Sequence, residues 1–543
     1  MKQKHTMEEL NKLSHDELIT IILSMQGQLD ALNENIEKLI EQVRLANSYR
    51  FGKRSETLQS IDGQLSFFFD EADTLYDDSV EEPAFEEVIN TPVRKKKSKG
   101  QRELNLKNFP EDIIPTHTVS VEELDAFYGQ GNWRKMNTET YKRLRHEPES
   151  WTVEVHTVDV FVGTDGEHQD EFMRGDRPKD LLRNSIVTPS LLASILNVKY
   201  VNSASLNRIE QEFERNGVNI SRQTMSNWII NCSQKYFLPF VEHMKKELLS
   251  YPVTQCDETP TQVIQDSTHP NSKCYMWVHR SGELYSEHPV VVYEYQKGRD
   301  HHIPLEFYRN YKGVLVTDGL QQYHLLDKKL PDVTNANCWA HARRDFADAI
   351  KAADKKHPQS VKESVAYQAL EKIALIYHID ESFKHSSAEE RLQKRQNIIK
   401  PLVEDYFAWV KEQLKNQTVP LKSKTADGLR YSVNQEQYLK VFLTNGNVPI
   451  DNSASERALR TFCLGKKNWM FHNSANGAES SALIYSISET AKLNQLRPYF
   501  YFKHILTELP KLCDGKGNID PAKLEELMPW SSKLPKECRK PCH

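Results

Sequence analysis

The sequence predicts an α/β protein whose sheet is interrupted by a long all-helical insertion, and three observations carry that reading. Between 251 and 320, short apolar runs at 252–256, 273–278, 289–293 and 313–317 surround a helical pattern near 303–308, the mixture that builds a sheet covered by helices. Between 341 and 445 the chain becomes rich in Ala, Leu, Lys, Glu and Gln at helical spacing. Beyond it, a segment beginning Asp451-Asn-Ser-Ala-Ser-Glu456 reads as a helix returning to the sheet, and 479–512 as two more.

The bulk properties bound the rest. At 543 residues the chain exceeds one ordinary domain, and about 100 to 200 residues per domain suggests three or four units. Charged residues make up 27% and the mean hydropathy is −0.66; no apolar run is long enough to span a bilayer. The N-terminus lacks the apolar core of a signal peptide, so a cytoplasmic protein is expected. Eight cysteines in such a compartment are expected to stay reduced, without structural disulfides. The net charge of −5 argues against a uniformly basic nucleic-acid coat, but it averages over segments of opposite sign.

Taken in order, residues 1–56 form a predicted zipper helix. Ser14 and Glu17 have capping-box spacing, and Leu18, Ile22, Met25, Leu29, Leu32, Ile36, Leu39 and Val43 recur in steps of four and three; this is a coiled-coil seam, expected to make a homodimer or higher oligomer through residues 18–43. The alternative is an amphipathic helix packed on its own domain. Residues 57–100 read as a disordered linker, acidic over 70–90 and then basic in Arg94-Lys-Lys-Lys-Ser-Lys99, a run that either touches phosphates or is merely solvated.

Period-two alternation in 152–162 places a small β-rich module over 101–187. Residues 188–250 then turn helical. Leu206 to Phe213, the turn Asn216-Gly217 and Ile220 to Ile229 follow helix-turn-helix grammar, with Ser221 as cap and Arg222, Gln223, Ser226 and Asn227 as polar groups for DNA. The bland alternative is an ordinary helical hairpin with a polar outer face.

Two acids sit at the ends of predicted strands, Asp257 in Cys256-Asp-Glu-Thr259 and Asp318 in Val316-Thr-Asp-Gly319. If the strands are adjacent and parallel, both carboxylates lie at one sheet edge, and Glu456 from the returning helix completes a cluster. Three oxygen ligands suit Mg2+ or Mn2+, and two ions about 3.5 to 4 Å apart would serve phosphodiester cleavage or transfer. Individually, each acid also has a turn-residue or surface-ion-pair reading. Arg457 and Arg460 are candidate phosphate clamps, and Lys466, Lys467 and Trp469 could hold a strand by charge and stacking. Cys338-Trp-Ala-His341-Ala-Arg343-Arg344 resembles half a zinc site with no second pair, which favours a structural or phosphate-contacting role. The tail Cys538, Cys542 and His543 could bind metal only incidentally.

Together these residues resemble the insertion-sequence-66 family of bacterial transposases, of the DDE class. The matching motifs are Arg50-Phe-Gly-Lys-Arg-Ser-Glu56, Cys256-Asp-Glu-Thr-Pro260, Val316-Thr-Asp-Gly319, Cys338-Trp-Ala-His-Ala-Arg-Arg344, Asp451 to Arg460, Gly465-Lys-Lys-Asn-Trp469 and Ile484-Tyr-Ser-Ile-Ser-Glu-Thr-Ala-Lys-Leu-Asn494, spread in order along the chain. The resemblance implies a ribonuclease-H-like catalytic core over 251–340 and 446–478, split by the insertion 341–445 and followed by C-terminal helices and tail over 479–543. It carries over Asp257, Asp318 and Glu456 as catalytic and metal-binding residues. It further implies Mg2+-dependent cutting at terminal inverted repeats of double-stranded DNA and strand transfer into target DNA, by a cytoplasmic, nucleoid-associated protein with possible accessory proteins from the same element. The sequence departs from the family in one respect: residues 57–231 contain no cysteine, where family members carry a zinc-binding module. The competing readings are a DNA-binding regulator that has lost turnover, a nuclease without transfer, and a two-carboxylate glycosidase, which has no need of flanking DNA-binding segments.

Overall fold

A computed structural model describes residues 180–541 except 184, 267–272, 285–286, 353–360 and 515–518, together with positions 14–16, 19, 22, 23, 25–27, 29, 39, 122, 151, 153, 154, 160–162 and 172–174. The chain divides into two units, Met1–Asp78 with Asp180–Arg539, and Ser79–Lys179 with Lys540–His543. In the second, β1 (Val160–Val162) pairs antiparallel with β2 (Phe172–Arg174), Val160 opposite Arg174. The rest of the predicted β-rich module, the acidic and basic linker, and Cys542 and His543 lie outside the described residues. Of the predicted zipper seam, Ile22, Met25, Leu29 and Leu39 are helical and exposed; its other positions lie outside them too.

The larger unit opens with helices. Thr188 caps α1 (Pro189–Leu196), and Ser205 caps α2 (Leu206–Arg215). The chain turns through Gly217 at φ +76°, a left-handed conformation that glycine adopts without steric cost. The Ser221 hydroxyl then accepts the Thr224 N–H at 3.2 Å and starts α3 (Arg222–Cys232), as expected of a polar N-cap. A π-helical turn joins α3 to α4 (Leu238–Leu248). This region does not form a core of its own: Ile209, Phe213, Met225, Trp228 and Phe240 share one apolar cluster with sheet and C-terminal residues.

The central sheet has the order β5-β4-β3-β6-β7: β3 (Val253–Thr261), β4 (Cys274–Ser281), β5 (Val291–Gln296), β6 (Gly313–Thr317) and β7 (Val333–Asn337). β4 pairs antiparallel with both β3 and β5, whereas β6 lies parallel to β3 and β7 parallel to β6. The parallel pairs need crossovers, supplied by α5 (His302–Phe307) and α6 (Gln321–Lys329). The fifth strand, Val333-Thr-Asn-Ala-Asn337, escapes sequence reading because its buried side includes Asn335 and Asn337, which hydrogen-bond each other at 3.1 Å. One expectation needs correction: Asp257 does not end its strand. β3 continues to Thr261 because β4 stays paired with it that far, and only Asp318 lies just past a strand end.

The regular secondary structure among the insertion's described residues is all helical: α7 (Trp339–Ala352), α8 (Val365–Glu381), α9 (Ala388–Lys394), α10 (Lys400–Lys415) and α11 (Lys424–Asn434). Its core of Trp339, Phe346, Ile373, Val403, Tyr406 and Leu429 reaches the sheet through Val253, Val316 and Ala336, while Cys256 and Leu315 belong to the other cluster. On β3, β6 and β7 strand alternation thus divides the side chains between two cores, whereas consecutive residues of β4 and β5, such as Met276, Trp277 and Val278, all join the first. The chain returns as α13 (Ser453–Trp469), after the short α12 (Glu436–Leu439), and ends with α14 (Ala475–Leu493) and α15 (Pro498–Leu512). α14 closes the edge of the sheet: the Ser486 hydroxyl accepts the Tyr293 N–H at 2.8 Å and the Thr490 hydroxyl accepts the Val291 N–H at 3.0 Å. An open row of strand donors is thereby covered. The seven described cysteines are free thiols, and no described helix is long and apolar enough to cross a membrane.

Candidate catalytic centre

The two aspartates meet because of strand register. Gln255 of β3 stands opposite Val316 of β6, so two residues further on Asp257 and Asp318 stand level on neighbouring parallel strands. Gln255, Asp257 and Thr259 share one face of β3 by period-two alternation, and α13 lies along that face. Asn452 sets its position: its carboxamide donates to the Cys256 carbonyl at 2.8 Å and accepts from Gln255 Nε2 at 3.2 Å, while its backbone N–H reaches Cys338 Sγ at 3.1 Å. Further along, Cys463 Sγ lies 3.6 Å from Thr259 Oγ1. Glu456 therefore enters in the first turn of α13, where the helix dipole favours an anion.

The acids sense one another. Burial first, then the Glu258 and Asp318 carboxylates and more weakly Glu456, hold the Asp257 carboxyl well above the usual carboxylate range, against a 2.8 Å bond from the Glu258 N–H. Asp318 is pushed up to about 6 by burial and by Glu258, opposed by the Leu320 N–H at 3.1 Å, Arg299 and Arg344. Arg344 lies 3.7 Å from Glu456, and an Arg299 Nη lies 3.9 Å from Asp318. Gly319 follows at φ +85°, where a Cβ would strike the Tyr431 hydroxyl and the Asn337 amide. This close approach lets Tyr431 donate to the Asp318 carbonyl at 3.0 Å.

Among the described residues no three His, Cys, Asp or Glu side chains converge into a ready-made metal cage. The donor set nonetheless suits a hard divalent cation, since its atoms are all carboxylate oxygens and the mutual repulsion that, after burial, raises Asp257 and Asp318 is what a bound cation would relieve. Magnesium needs only one or two such ligands and retains water.

The remaining sequence-predicted residues spread over several surfaces. On α3, Arg222, Gln223 and Asn227 are exposed; Gln223 donates to Asn227 at 3.2 Å and the Arg222 N–H to Glu210 at 2.9 Å. On α7, His341 is driven down to about 4 by burial and by Arg344, so it is neutral at pH 7, with Nδ1 buried and without a hydrogen bond. Arg343 is half-buried beside it. On α13, Arg457 pairs with Glu283, Arg460 is half-buried, Lys466 donates to the Pro260 carbonyl at 2.6 Å, and Lys467 is exposed. The Trp469 ring is packed against Tyr200 and Tyr485 with the Lys199 ammonium 4.3 Å from its centroid. Cys338 is a buried thiol, raised well above its ordinary value by burial and then by Asp451, and it anchors the start of α13.

Glu258 and Arg299 lie beside the three acids; in the sequence Glu258 stands out only as a member of the Cys256–Pro260 motif, and Arg299 not at all. Glu258 adjoins Asp257, but alternation sends it to the opposite face, where Tyr323, Arg299 and Gln322 donate to it.

Three family models match the chain: Transposase IS66 family over residues 184–480, IS66 C-terminal element over 486–530, and Transposase C of IS166 homeodomain over 38–114. Among curated relatives, uncharacterized protein y4qI of Sinorhizobium fredii is 25% identical over 92% of this chain and 90% of its own length. Uncharacterized protein y4hP of the same organism is 25% identical over 93% and 89%. The first family model alone spans more than half of the sequence, including all three acids and the insertion between them, and the chain therefore belongs to the IS66 transposase family.

Proposed function

We propose that the protein is a DDE-class DNA transposase that binds the terminal inverted repeats of its element and catalyses divalent-metal-dependent strand cleavage and transfer. The observation that carries this reading is the register of β3 and β6, which sets Asp257 level with Asp318 on the face where α13 brings Glu456. Support for a ribonuclease-H-like core comes from the strand order with β4 alone running against the others, and from a helical insertion placed before the last acid.

Asp257, Asp318 and Glu456 would hold Mg2+ or Mn2+, as two ions, and what such ions would supply there is activation of an attacking hydroxyl and stabilisation of the leaving oxygen. The chain's own residues orient the site. The Leu320 N–H fixes one Asp318 oxygen, Asn452 holds Glu456 in register with β3, and Arg344 offers a guanidinium beside Glu456 for a strand phosphate. The exposed polar edge of α3, with Arg222, Gln223 and Asn227, is suited to the element ends, as are His341, Arg343, Arg457, Arg460, Lys466 and Lys467 to backbone contacts. The Trp469 contacts described above leave its ring a packing role rather than a stacking platform. The homeodomain model over 38–114 supports a further DNA contact. The protein works as a homodimer or larger assembly through residues 18–43, in the bacterial cytoplasm on nucleoid DNA, with accessory proteins of the same element as possible partners.

The test is a strand-joining assay on labelled duplexes carrying the ends of the parent element, with Mg2+ and either wild-type protein or Glu456→Gln. Joined products that vanish in the variant support the reading. Bound but uncut DNA with both proteins would instead indicate a DNA-binding regulator.

A further inference from the structure

Glu258 is a fully buried carboxylate in a site that already concentrates negative charge. Burying such a group is costly unless its oxygens are filled by donors, and three are supplied: the Tyr323 hydroxyl, Arg299 Nε, and Gln322 Nε2 at 3.3 Å. These bonds, on the face of β3 opposite to Asp257, occupy Glu258 internally. What it holds is Arg299, just beyond β5. The neighbouring Gly298 carbonyl accepts the Trp277 indole N–H at 3.4 Å, and the guanidinium carbon sits 5.9 Å from the Tyr275 ring centroid.

Arg299 is thus tethered by one edge while the other is open. Its Nη2 is 3.9 Å from Asp318 Oδ2, too far for a hydrogen bond, and the side chain remains 41% exposed. A guanidinium with a fixed Nε edge and unspent Nη donors matches two oxygens of a phosphate.

We propose that Arg299 binds the non-bridging oxygens of the DNA phosphodiester at the cleavage position, and that Glu258 is the positioning residue that presents it. The proposal rests on the transposase reading above. A lysine would keep the charge but not the fork, and loss of Glu258's charge would free the guanidinium to turn away.

The test uses the full-length protein and duplexes of the element end in Ca2+, which permits binding to be read without turnover. One duplex carries the native phosphodiester at the cleavage position and the other a neutral methylphosphonate. Wild-type protein is expected to bind the native duplex more tightly by about 10- to 100-fold, the value of a charged hydrogen-bonded contact. In Arg299→Gln this ratio falls toward one, in Arg299→Lys it is only partly recovered, and in Glu258→Gln it drops while the total affinity for flanking DNA is kept. Should Arg299→Gln fail to fold, judged by its melting curve, Glu258→Gln decides. A full wild-type ratio in either folded variant overturns the proposal, as does equal affinity of wild-type protein for both duplexes in a preparation that cleaves native ends. Wild-type protein that neither binds nor cuts the ends overturns the transposase reading and this proposal with it.

Discussion

At the scale of single residues, the centre depends on groups whose roles differ by one position in the chain. Asp257 lies on the face of β3 along which α13 runs, whereas Glu258, the next residue, faces Tyr323 and Arg299. Asp318→Asn is expected to lower strand joining by at least about 10³-fold, the scale on which members of one catalytic unit fail, while end binding measured by gel shift stays near wild type. Asparagine keeps an acceptor for the Leu320 N–H, so the melting temperature should hardly move. His472 gives a separate, pH-dependent prediction. Burial, then the Lys199 charge, lowers it to about 4 from 6.5, and its Nε2 has no hydrogen bond. The folded state therefore keeps it neutral while the unfolded chain protonates below about 6.5, so its contribution is complete above that pH and is lost as pH falls toward 4. His472→Asn should remove on the order of 1–2 kcal/mol from the difference in unfolding free energy between pH 7.5 and pH 5, read by urea titration against wild type.

At the scale of elements, two contacts hold the acid-bearing segments in place. The α14 hydroxyls on the edge of β5 explain why Ser486 and Thr490 lie four residues apart on a buried helix face. Ser486→Ala leaves the Tyr293 N–H unpaired and should cost about 1–3 kcal/mol, the usual penalty for one orphaned buried donor, measurable by chemical denaturation. Inside the insertion, fully buried Arg395 makes a two-pronged pair with Asp380 at 2.6 and 2.8 Å and donates to the Phe442 and Val448 carbonyls. It pins the loop that leads into α13. Arg395→Met should destabilise by about 3–5 kcal/mol because Asp380 is left charged and unpaired, and adding Asp380→Leu should recover much of that loss. No recovery in the double variant would show that the carbonyl contacts, not the ion pair, dominate.

At the scale of the whole molecule, helices α2 and α3, the sheet and the C-terminal helices share one apolar cluster, while the insertion has a second that meets the sheet at Val253, Val316 and Ala336. Met225 and Trp228 of α3 thus pack into the same core as the sheet that carries Asp257. The exposed helical positions Ile22, Met25, Leu29 and Leu39 are the proposed self-association seam. Replacing Ile22 and Leu29 by Glu should shift the protein to a smaller species in light scattering at unchanged thermal stability of residues 180–539, since a zipper buries its apolar stripe only against a partner. An unchanged mass would place oligomerisation elsewhere.

Local rules were enough for much of this protein. Ser221, Gly217 and the 3.6 period mark the paired helices α2 and α3, apolar runs mark β3 to β6, and Asp257 and Asp318 are singled out by the apolar runs that precede them, only Asp318 lying at a strand end. Tertiary structure alone decided the rest. β7 is half polar and carries no clean alternation, β3 continues past Asp257 only because β4 pairs with it, and Trp469 is drawn against Lys199 and Tyr485. Arg299, 41 residues beyond Glu258, joins the centre through a buried ion pair. Periodicity and capping are properties of neighbouring residues, whereas such a pair is formed by strand order and packing between segments that no local pattern connects.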